Sequence, residues 1–271
     1  MQLRVKVFGA VLALSLHGEG YADVLDRIKA AGVLNVGVQE DAAPFDFVEA
    51  GEPVGFDIDL TGEIGRELGV KIAFVAQPAD AVLTGLEAGR FDLLAAPVAV
   101  TKVRLARYRF TAPVAEASVA LLTRRDDSQI QTPPDIAGKS VGVVRASAQS
   151  QPLRVFARSL PGGATVAEFD GDDDAYAALA AGRVAAVADA WPHLAYVAKR
   201  QPDTYRIVTP PFGPQTWYAY AGRKARLFDS LMSAVDGALA KIKADGRMAS
   251  LQKKWFGVAF DTPDAAPEPK P

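Results

Sequence analysis

Hydrophobic positions along the first third of the chain alternate between two periods. Largely apolar runs typical of buried strands stand at Val33–Val38, Lys71–Val75 and Phe91–Ala96. Between them, Asp57–Leu68 and Asp80–Ala88 have apolar residues at helical spacing, and each is followed by glycine, a common helix stop. The order strand, helix, strand, helix, strand favours a mainly parallel sheet with helices on its faces.

The same rhythm returns in the second half of the chain. The pattern predicts strands at Ser118–Thr123, Ser140–Val144, Val166–Phe169, Val184–Ala188 and Trp217–Ala221. It predicts helices at Asp172–Ala181, Lys224–Asp245 and Arg247–Trp255. The sequence therefore predicts two α/β lobes of similar construction. Asp261–Pro271 is rich in proline and predicts a disordered tail.

The first residues have the pattern of an export signal. Arg4 and Lys6 precede an apolar stretch, Val7–Leu16, and small residues around Ala22 form a cleavage site. The apolar stretch is too short to anchor the chain in a bilayer, and the alternative is a buried N-terminal strand or helix. We expect export to a bacterial periplasm with cleavage near Ala22.

Composition excludes several kinds of chemistry. The 271 residues carry a net charge of −2, which offers no electrostatic basis for binding nucleic acid. Cysteine is absent, which excludes disulfides, thiol catalysis and cysteine-ligated metals. The acidic run Asp170–Asp174 lacks the later glutamate of a calcium loop and is more simply the start of a helix. We expect no cofactor and no metal.

Six segments carry short motifs in a fixed order. They are GVLNVGVQEDAAPFDFVEAGEPVGFDIDL at 32–60, LEAGRFDLL at 86–94, Thr101 and Arg104 with YRFTAP at 108–113, IAGKSVGV at 136–143, YAALAAGRVAAVAD at 176–189, and ADG at 244–246 with KWFG at 254–257. In wording and order these segments resemble the bacterial periplasmic solute-binding proteins of family 3, which serve polar amino acid ABC importers.

The resemblance implies a type II periplasmic binding protein fold. In that fold two α/β lobes, each a mixed, mainly parallel sheet flanked by helices, close on a ligand. Carried onto this chain, the domains are a signal peptide (1–22), lobe 1 (23–117 plus 217–257), lobe 2 with the hinge segments (118–216) and a disordered tail (258–271). The implied function is capture of an amino acid or amino-acid-like small carboxylate by a monomer, for an ABC permease in the inner membrane.

The resemblance also implies which side chains hold the ligand. Arg104 matches the family's carboxylate-clamping arginine, and Asp189 matches the aspartate that receives the ammonium group. A planar guanidinium suits a carboxylate, and an acceptor-only carboxylate suits an ammonium. The alternatives are a solvated arginine in a basic cluster and an aspartate that caps the helix beginning near Trp191. The interval from Arg183 to Asp189 is one residue shorter than in the family.

Five further positions complete the predicted ligand site, and several depart from the family pattern. Ser147 matches a hydroxyl and backbone N–H at a helix start, with a plain N-cap as the alternative, while Thr101 and Ala99 flank the arginine. Phe45 and Trp191 are candidates for stacking on the ligand, with core packing as the alternative. Alanine or proline replaces polar or aromatic positions of the family at Ala42, Ala96, Pro97 and Ala99. The hypothesis is a roomier, more apolar cleft for a bulkier amino acid or another small carboxylate.

Two other functions compete with solute binding. A few relatives of this fold dehydrate a cyclohexadienyl acid with a carboxyl group as general acid. The only histidines are His17, in the export signal, and His193, which we interpret as a surface or capping residue. We therefore expect a binding protein and not an enzyme. A ligand-sensing module for a separate receptor is the other alternative.

Overall fold

The structure, a computed structural model, describes residues 23–268. The predicted signal peptide (1–22) and the last residues of the predicted tail (269–271) lie outside that range. The helices are α1 Val24–Ala31, α2 Phe56–Leu68, α3 Val82–Glu87, α4 Lys102–Arg107, α5 Ser150–Ser159, α6 Asp172–Ala180, α7 Trp191–Arg200, α8 Asp229–Ala244 and α9 Arg247–Phe256. Within the described range, every helix is too short or too polar to span a bilayer.

The strands form two five-stranded sheets and one small sheet. They are β1 Val33–Gln39, β2 Asp41–Ala42, β3 Asp46–Glu49, β4 Glu52–Val54, β5 Lys71–Gln77, β6 Leu93–Leu94, β7 Tyr108–Glu116, β8 Val119–Arg124, β9 Ser140–Val144, β10 Thr165–Phe169, β11 Ala186–Ala190, β12 Tyr205–Phe212 and β13 Trp217–Arg223. The first large sheet has the order β5-β1-β6-β13-β7 and the second β10-β9-β11-β8-β12. We call the parts of the chain built on them lobe 1 and lobe 2.

Both large sheets are mixed. In lobe 1, β1 pairs in parallel with β5 and β6, whereas β13 pairs antiparallel with β6 and β7. In lobe 2, β9 pairs in parallel with β10 and β11, whereas β8 pairs antiparallel with β11 and β12. Helix α2 packs its apolar side chains, including Leu60 and Ile64, into the core of lobe 1. The two-lobe α/β architecture that the sequence predicts is confirmed.

Two chain segments cross between the lobes side by side. One joins β7 to β8 through Ala117 and Ser118, and the other joins β12 to β13 through residues 213–216. The N–H of Ala117 donates to the carbonyl of Thr216 (2.7 Å), and the N–H of Thr216 donates to Oγ of Ser118 (3.2 Å). The Ser118 carbonyl accepts the N–H of Trp191 (3.0 Å), which ties this crossing to the start of α7.

The small sheet β2-β3-β4 holds Phe45 against the start of α2. Gly55 is required at this junction because its φ of +137° lies in a region that other residues rarely adopt. A Cβ there would stand 2.1 Å from the Phe45 carbonyl oxygen. That carbonyl accepts the N–H of Asp57 (2.8 Å), so the close approach fixes the hairpin on the helix.

Two aspartates beside this hairpin are completely buried. Asp46 accepts the N–H of Gln39 (2.5 Å), and Asp57 accepts the hydroxyl of Tyr220 (2.8 Å). The second oxygen of each carboxyl has no hydrogen-bond partner among residues 23–268. Burial raises the pKa of both carboxyls, and the charge of Asp57 raises that of Asp46 further.

Replacing Asp46 by asparagine is expected to make stability less dependent on pH. Above the ordinary carboxyl pKa of about 4, the folded protein keeps a proton that the unfolded chain loses. The free energy of unfolding of the wild type therefore falls as pH rises, by up to about 1.4 kcal/mol per pH unit for one proton. Urea denaturation between about pH 5 and pH 8 measures the slope. Asp41→Asn, on the exposed part of the same hairpin, is the control; equal slopes in wild type and Asp46→Asn would contradict the expectation.

The segment after α9 differs from the predicted disordered tail. Residues 258–268 have no regular secondary structure, but Phe260 and Thr262 are buried. The N–H of Phe260 donates to Oε1 of the buried Gln252 (2.9 Å), and Lys243 pairs with Asp264 (2.7 Å). Its composition is typical of a disordered tail. The burial of Phe260 and Thr262 nevertheless shows that this part of it packs against lobe 1.

Candidate functional site

Arg104 lies at the lobe 1 side of the cleft, on a short helix with a defined start. Oγ1 of Thr101 accepts the N–H of Arg104 (3.2 Å) and so caps α4. The guanidinium is half-buried, and its Nη1 donates to the carbonyl of Ala99 (2.9 Å). Burial lowers the pKa of Arg104, yet an arginine remains a cation at neutral pH. The side chain is thus held inward, as a ligand-binding cation would be.

Tyr218 connects Arg104 to the opposite lobe. Its backbone forms a bridge with Ala99, and the residue is only 5% exposed. Burial raises the pKa of its phenol, the charge of Asp189 raises it further, and Gln149 of lobe 2 and Arg104 lower it. Gln149 and Asp189 belong to lobe 2 and Arg104 to lobe 1, so the phenol lies close to groups of both lobes. The pKa of the Tyr218 hydroxyl therefore responds to the charges of both Arg104 and Asp189.

Asp189 lies on the lobe 2 side, at the end of β11. Its Oδ1 accepts the N–H of Ala190 (2.7 Å), and its Oδ2 is 3.3 Å from Nδ1 of His193. The carboxylate keeps 12% of its surface exposed. The sheet register sets Asp189 opposite Ala120 of β8, a residue without a bulky side chain beside the carboxylate.

His193 completes a path of contacts across the cleft. Its ring packs edge-to-face on Phe45 (centroids 5.3 Å apart) and lies 6.1 Å from the ring of Tyr218, both in lobe 1. Burial alone would lower the pKa of His193, but the charge and hydrogen bond of Asp189 and the charge of Asp172 raise it. The interpretation of His193 as a surface or capping residue is wrong, because its side chain is 77% buried.

These contacts connect the two predicted charges by a path through neighbouring residues. The path runs from Arg104 to Ala99, Tyr218, His193 and Asp189. Within the described part of the chain, Arg104 and Asp189 do not form an ion pair with each other, so each charge is positioned by neutral groups or by the imidazole. Such an arrangement suits a small molecule with a carboxylate at one end and an ammonium near the other.

The Ser147 hydroxyl is buried and, among residues 23–268, has no hydrogen-bond partner. The alternative interpretation of Ser147 as a helix N-cap is wrong, because α5 begins at Ser150 with Gln149 as its N-cap. The Ser147 N–H is engaged with the Val144 carbonyl (3.2 Å), so the hydroxyl and not this N–H is the group available to a ligand.

Phe45 and Trp191 are engaged in packing. Phe45 is 0% exposed and contacts Phe56, Tyr218 and Phe256 as well as His193. Trp191 packs edge-to-face on Phe260 with centroids 5.3 Å apart. The structure therefore favours core packing for both, and Phe45 reaches the site only through the rings it supports.

Polar groups that the motifs did not indicate also surround the cleft. Asp172, at the start of α6, is exposed by its surface area, but partial loss of solvent around its carboxyl and the charge of Asp189 raise its pKa to about 6, partly offset by His193. The phenol of Tyr176 has its pKa raised by burial and by the charges of both aspartates. The hypothesis of a roomier, more apolar cleft stays a prediction.

A separate cavity of about 200 Å³ lies between the lobes, away from these residues. It is lined by Phe47, Glu49, Tyr196, Lys199, Arg200, Lys254 and Trp255. Nζ of Lys199 on α7 donates to the Lys253 carbonyl (3.2 Å) at the end of α9, which adds a contact between the lobes. The predicted ligand-binding charges do not line this cavity.

Comparison with known proteins assigns the family. Residues 34–258 match the bacterial extracellular solute-binding proteins, family 3. The chain belongs to this family. The resemblance that the sequence motifs carried is thus confirmed over most of the described range, and so is the type II periplasmic binding protein fold that it implied.

Relatives of this family-3 protein include amino-acid-binding proteins. An L-cystine-binding protein of Escherichia coli strain K12 is 27% identical over 260 residues, covering 94% of this chain and 95% of that protein. A histidine-binding periplasmic protein of Salmonella typhimurium strain LT2 is 28% identical over 253 residues, covering 91% and 94%. Both alignments extend over nearly the whole of each chain.

Solved structures agree with the family. An ancestral cationic amino acid solute-binding protein is 30% identical with a TM-score of 0.76, and the match covers 86% of this chain and 99% of that one. A second structure of that ancestral protein, described as a precursor of cyclohexadienyl dehydratase, has a TM-score of 0.68 at 30% identity and covers 87% and 100%. This chain therefore has the architecture of solute-binding proteins across both lobes.

Proposed function

We propose that this protein captures an amino acid, or an amino-acid-like small carboxylate, in the periplasm for an ABC importer. The observation that carries the proposal is the contact path from Arg104 to Asp189 through Tyr218 and His193. It joins one inward cation of lobe 1 to one buried carboxylate of lobe 2. A ligand that pairs with both would favour the closed arrangement of the lobes.

The chemistry of the two ends fits a zwitterion. Arg104 donates two parallel hydrogen bonds to the carboxylate, and the Ser147 hydroxyl adds a donor on the lobe 2 side. Asp189 accepts the ammonium through Oδ2, while Thr101 and Ala99 hold Arg104 in place. Removing both charges of an amino acid from water requires an opposite charge for each.

Export and delivery complete the proposal. The leader is cleaved near Ala22, and the mature monomer delivers its ligand to a permease in the inner membrane. The histidine-binding relative is described as periplasmic, and the family as extracellular, which supports export. Size-exclusion chromatography with light scattering tests the monomer, and cell fractionation with N-terminal sequencing tests the cleavage.

A ligand series tests the proposed recognition. Isothermal titration calorimetry with L-cystine, L-histidine, L-arginine and the larger apolar amino acids is expected to show binding of at least one. For each that binds, the amino acid amide (no carboxylate) and the decarboxylated amine should bind at least about a hundredfold more weakly, because each loses its interaction with Arg104. Equal binding of an amino acid and its amide would overturn the proposed role of this arginine.

The size of the ligand is part of the same proposal. Ala42 stands where the family often has an aromatic side chain, and Ala96 and Ala99 stand where it places hydroxyl or small polar residues. We therefore propose a ligand larger than a small polar amino acid. A thermal-shift screen in which serine, alanine and glycine stabilise the protein more than L-cystine or L-arginine would contradict this.

A second candidate function is dehydration of a cyclohexadienyl acid. Asp172 favours it, because a carboxyl with a pKa raised to about 6 is partly protonated near neutral pH and can act as a general acid. The precursor described above is structurally similar to this chain. Incubation with prephenate or arogenate, followed by absorbance, decides between the two: turnover that Asp172→Asn abolishes would replace the binding proposal with an enzyme.

A further inference from the structure

His193 is placed to share Asp189 with the ligand. It is four residues from Asp189, and Nδ1 lies 3.3 Å from Oδ2, the same oxygen that faces the proposed ammonium. The other oxygen, Oδ1, already accepts the N–H of Ala190 (2.7 Å). The imidazolium and the ligand's ammonium therefore meet at the same carboxylate oxygen, where their positive charges repel each other.

The imidazole of His193, which belongs to lobe 2, is held in place by two aromatic rings of lobe 1. Phe45 meets it edge-to-face at 5.3 Å, and Tyr218 lies at 6.1 Å. These contacts leave the ring 23% exposed and hold it beside Asp189. A side chain packed on two aromatic rings has little freedom to move away when a ligand arrives.

The titratable groups around His193 come from four elements of the fold. Asp189, at the junction of β11 and α7, and Asp172, on α6, are negative and favour the imidazolium. Tyr218 on β13 is neutral because its pKa is raised, and Arg104 on α4 acts on that phenol. Tyr176, on α6, is a neutral phenol as well. Without ligand, two carboxylates therefore face one imidazole.

We propose that His193 is a specificity-determining residue that yields a proton when the ligand's ammonium group pairs with Asp189. This inference rests on the proposed function. Neutral His193 keeps its Nδ1–H on Asp189 and holds the carboxylate in place, while the proton on Nε2 passes to solvent. The ammonium then takes over the positive charge that the imidazolium supplied, so the charge next to Asp189 is unchanged.

The proton release makes the choice between amino acids and plain carboxylates depend on pH. An amino acid binds with release of a proton, so its affinity falls as pH drops below the pKa of His193 in the ligand-free protein, by up to about tenfold per pH unit. A carboxylate without an ammonium group leaves Asp189 to the imidazolium and gains affinity as pH drops. His193 therefore makes the cleft select amino acids at higher pH and plain carboxylates at lower pH.

The histidine pair is tested first without any ligand. In the mature chain, expressed from Asp23 without a histidine tag, His193 is the only histidine, so its proton NMR signals need no assignment. The pKa of His193 is expected to be raised in the wild type and lower in Asp189→Asn. Asp203→Asn, an exposed aspartate elsewhere in lobe 2, is expected to leave it unchanged. An identical pKa in wild type and Asp189→Asn would overturn the inference.

The proton exchange is tested with L-arginine and L-cystine as probes. Calorimetry in two buffers of different ionisation enthalpy, below the pKa of His193 measured by NMR, is expected to show release of up to one proton by the wild type. His193→Gln should bind with no proton release and a flat pH profile. Equal pH dependence in wild type and His193→Gln would overturn the inference, as would proton uptake by the wild type.

The proposed function and the role of His193 have separate outcomes. If the NMR titration shows the histidine pair but no amino acid or small carboxylate binds, the proposed function fails, and proton release on binding fails with it. If amino acids bind and Arg104→Ala has no effect, the proposed role of Arg104 fails while the histidine pair stands. Circular dichroism of each variant checks that the fold is retained.

Discussion

Arg104→Ala is expected to weaken binding of the amino acid identified in the ligand series by about a hundredfold or more. The guanidinium is half-buried and held by the Ala99 carbonyl at 2.9 Å, so it is already oriented. A charge-assisted hydrogen bond contributes about 1.5–3 kcal/mol, and two parallel bonds to a carboxylate are lost together. A loss of about 3 kcal/mol corresponds to more than a hundredfold in dissociation constant. Calorimetry measures the change.

The same helix provides a matched control. Arg107 is the last residue of α4, pairs with Glu87 (2.6 Å) and is 61% exposed, so Arg107→Ala is expected to bind as the wild type does. Ligand chemistry gives a second check, because changing the carboxylate to an amide should cost the wild type much and Arg104→Ala little. If Arg104→Ala retains the wild-type preference for the acid over the amide, another group holds the carboxylate.

Periodicity was sufficient for most of the fold. The strand predicted at Ser140–Val144 has those bounds, and the helix predicted at Asp57–Leu68 begins one residue earlier. Such segments are dominated by their own apolar pattern and their glycine stops. The six-residue strand predicted at Phe91–Ala96 is reduced to Leu93–Leu94, because only these two residues pair with the strands on either side.

The candidate site was only partly predictable. Motif order pointed to Arg104 and Asp189, since each stands at a recognisable place beside a helix or at the end of a strand. Tyr218 of β13 and Gln149, the N-cap of α5, lie far apart in the chain and in different lobes, so only the folded arrangement of the two lobes places them near each other. No local pattern encodes that contact. His193 was underestimated because its helix position was considered without the carboxylate four residues before it.

Asp189→Asn is expected to weaken binding of the same amino acid by more than about a hundredfold. Asparagine keeps an oxygen that can accept the N–H of Ala190, as Oδ1 does now at 2.7 Å, so the local fold should survive. What is lost is the negative charge opposite the ammonium. Removing one partner of a buried ion pair costs about 3–5 kcal/mol, because the remaining charge is left in a poorly solvated place.

A ligand without the amino group separates loss of the Asp189–ammonium pair from a general disruption of the cleft by the substitution. The deaminated analogue should bind the wild type much more weakly than the amino acid does, but should bind Asp189→Asn about as well as the amino acid does, because the variant has no charge to lose. Asp203→Asn, with an exposed carboxyl, should retain the full preference for the amino acid. The coupling free energy between the Asp189→Asn substitution and removal of the ligand's amino group decides whether the two groups interact. A coupling near zero would mean that Asp189 supports the cleft without contacting the ammonium.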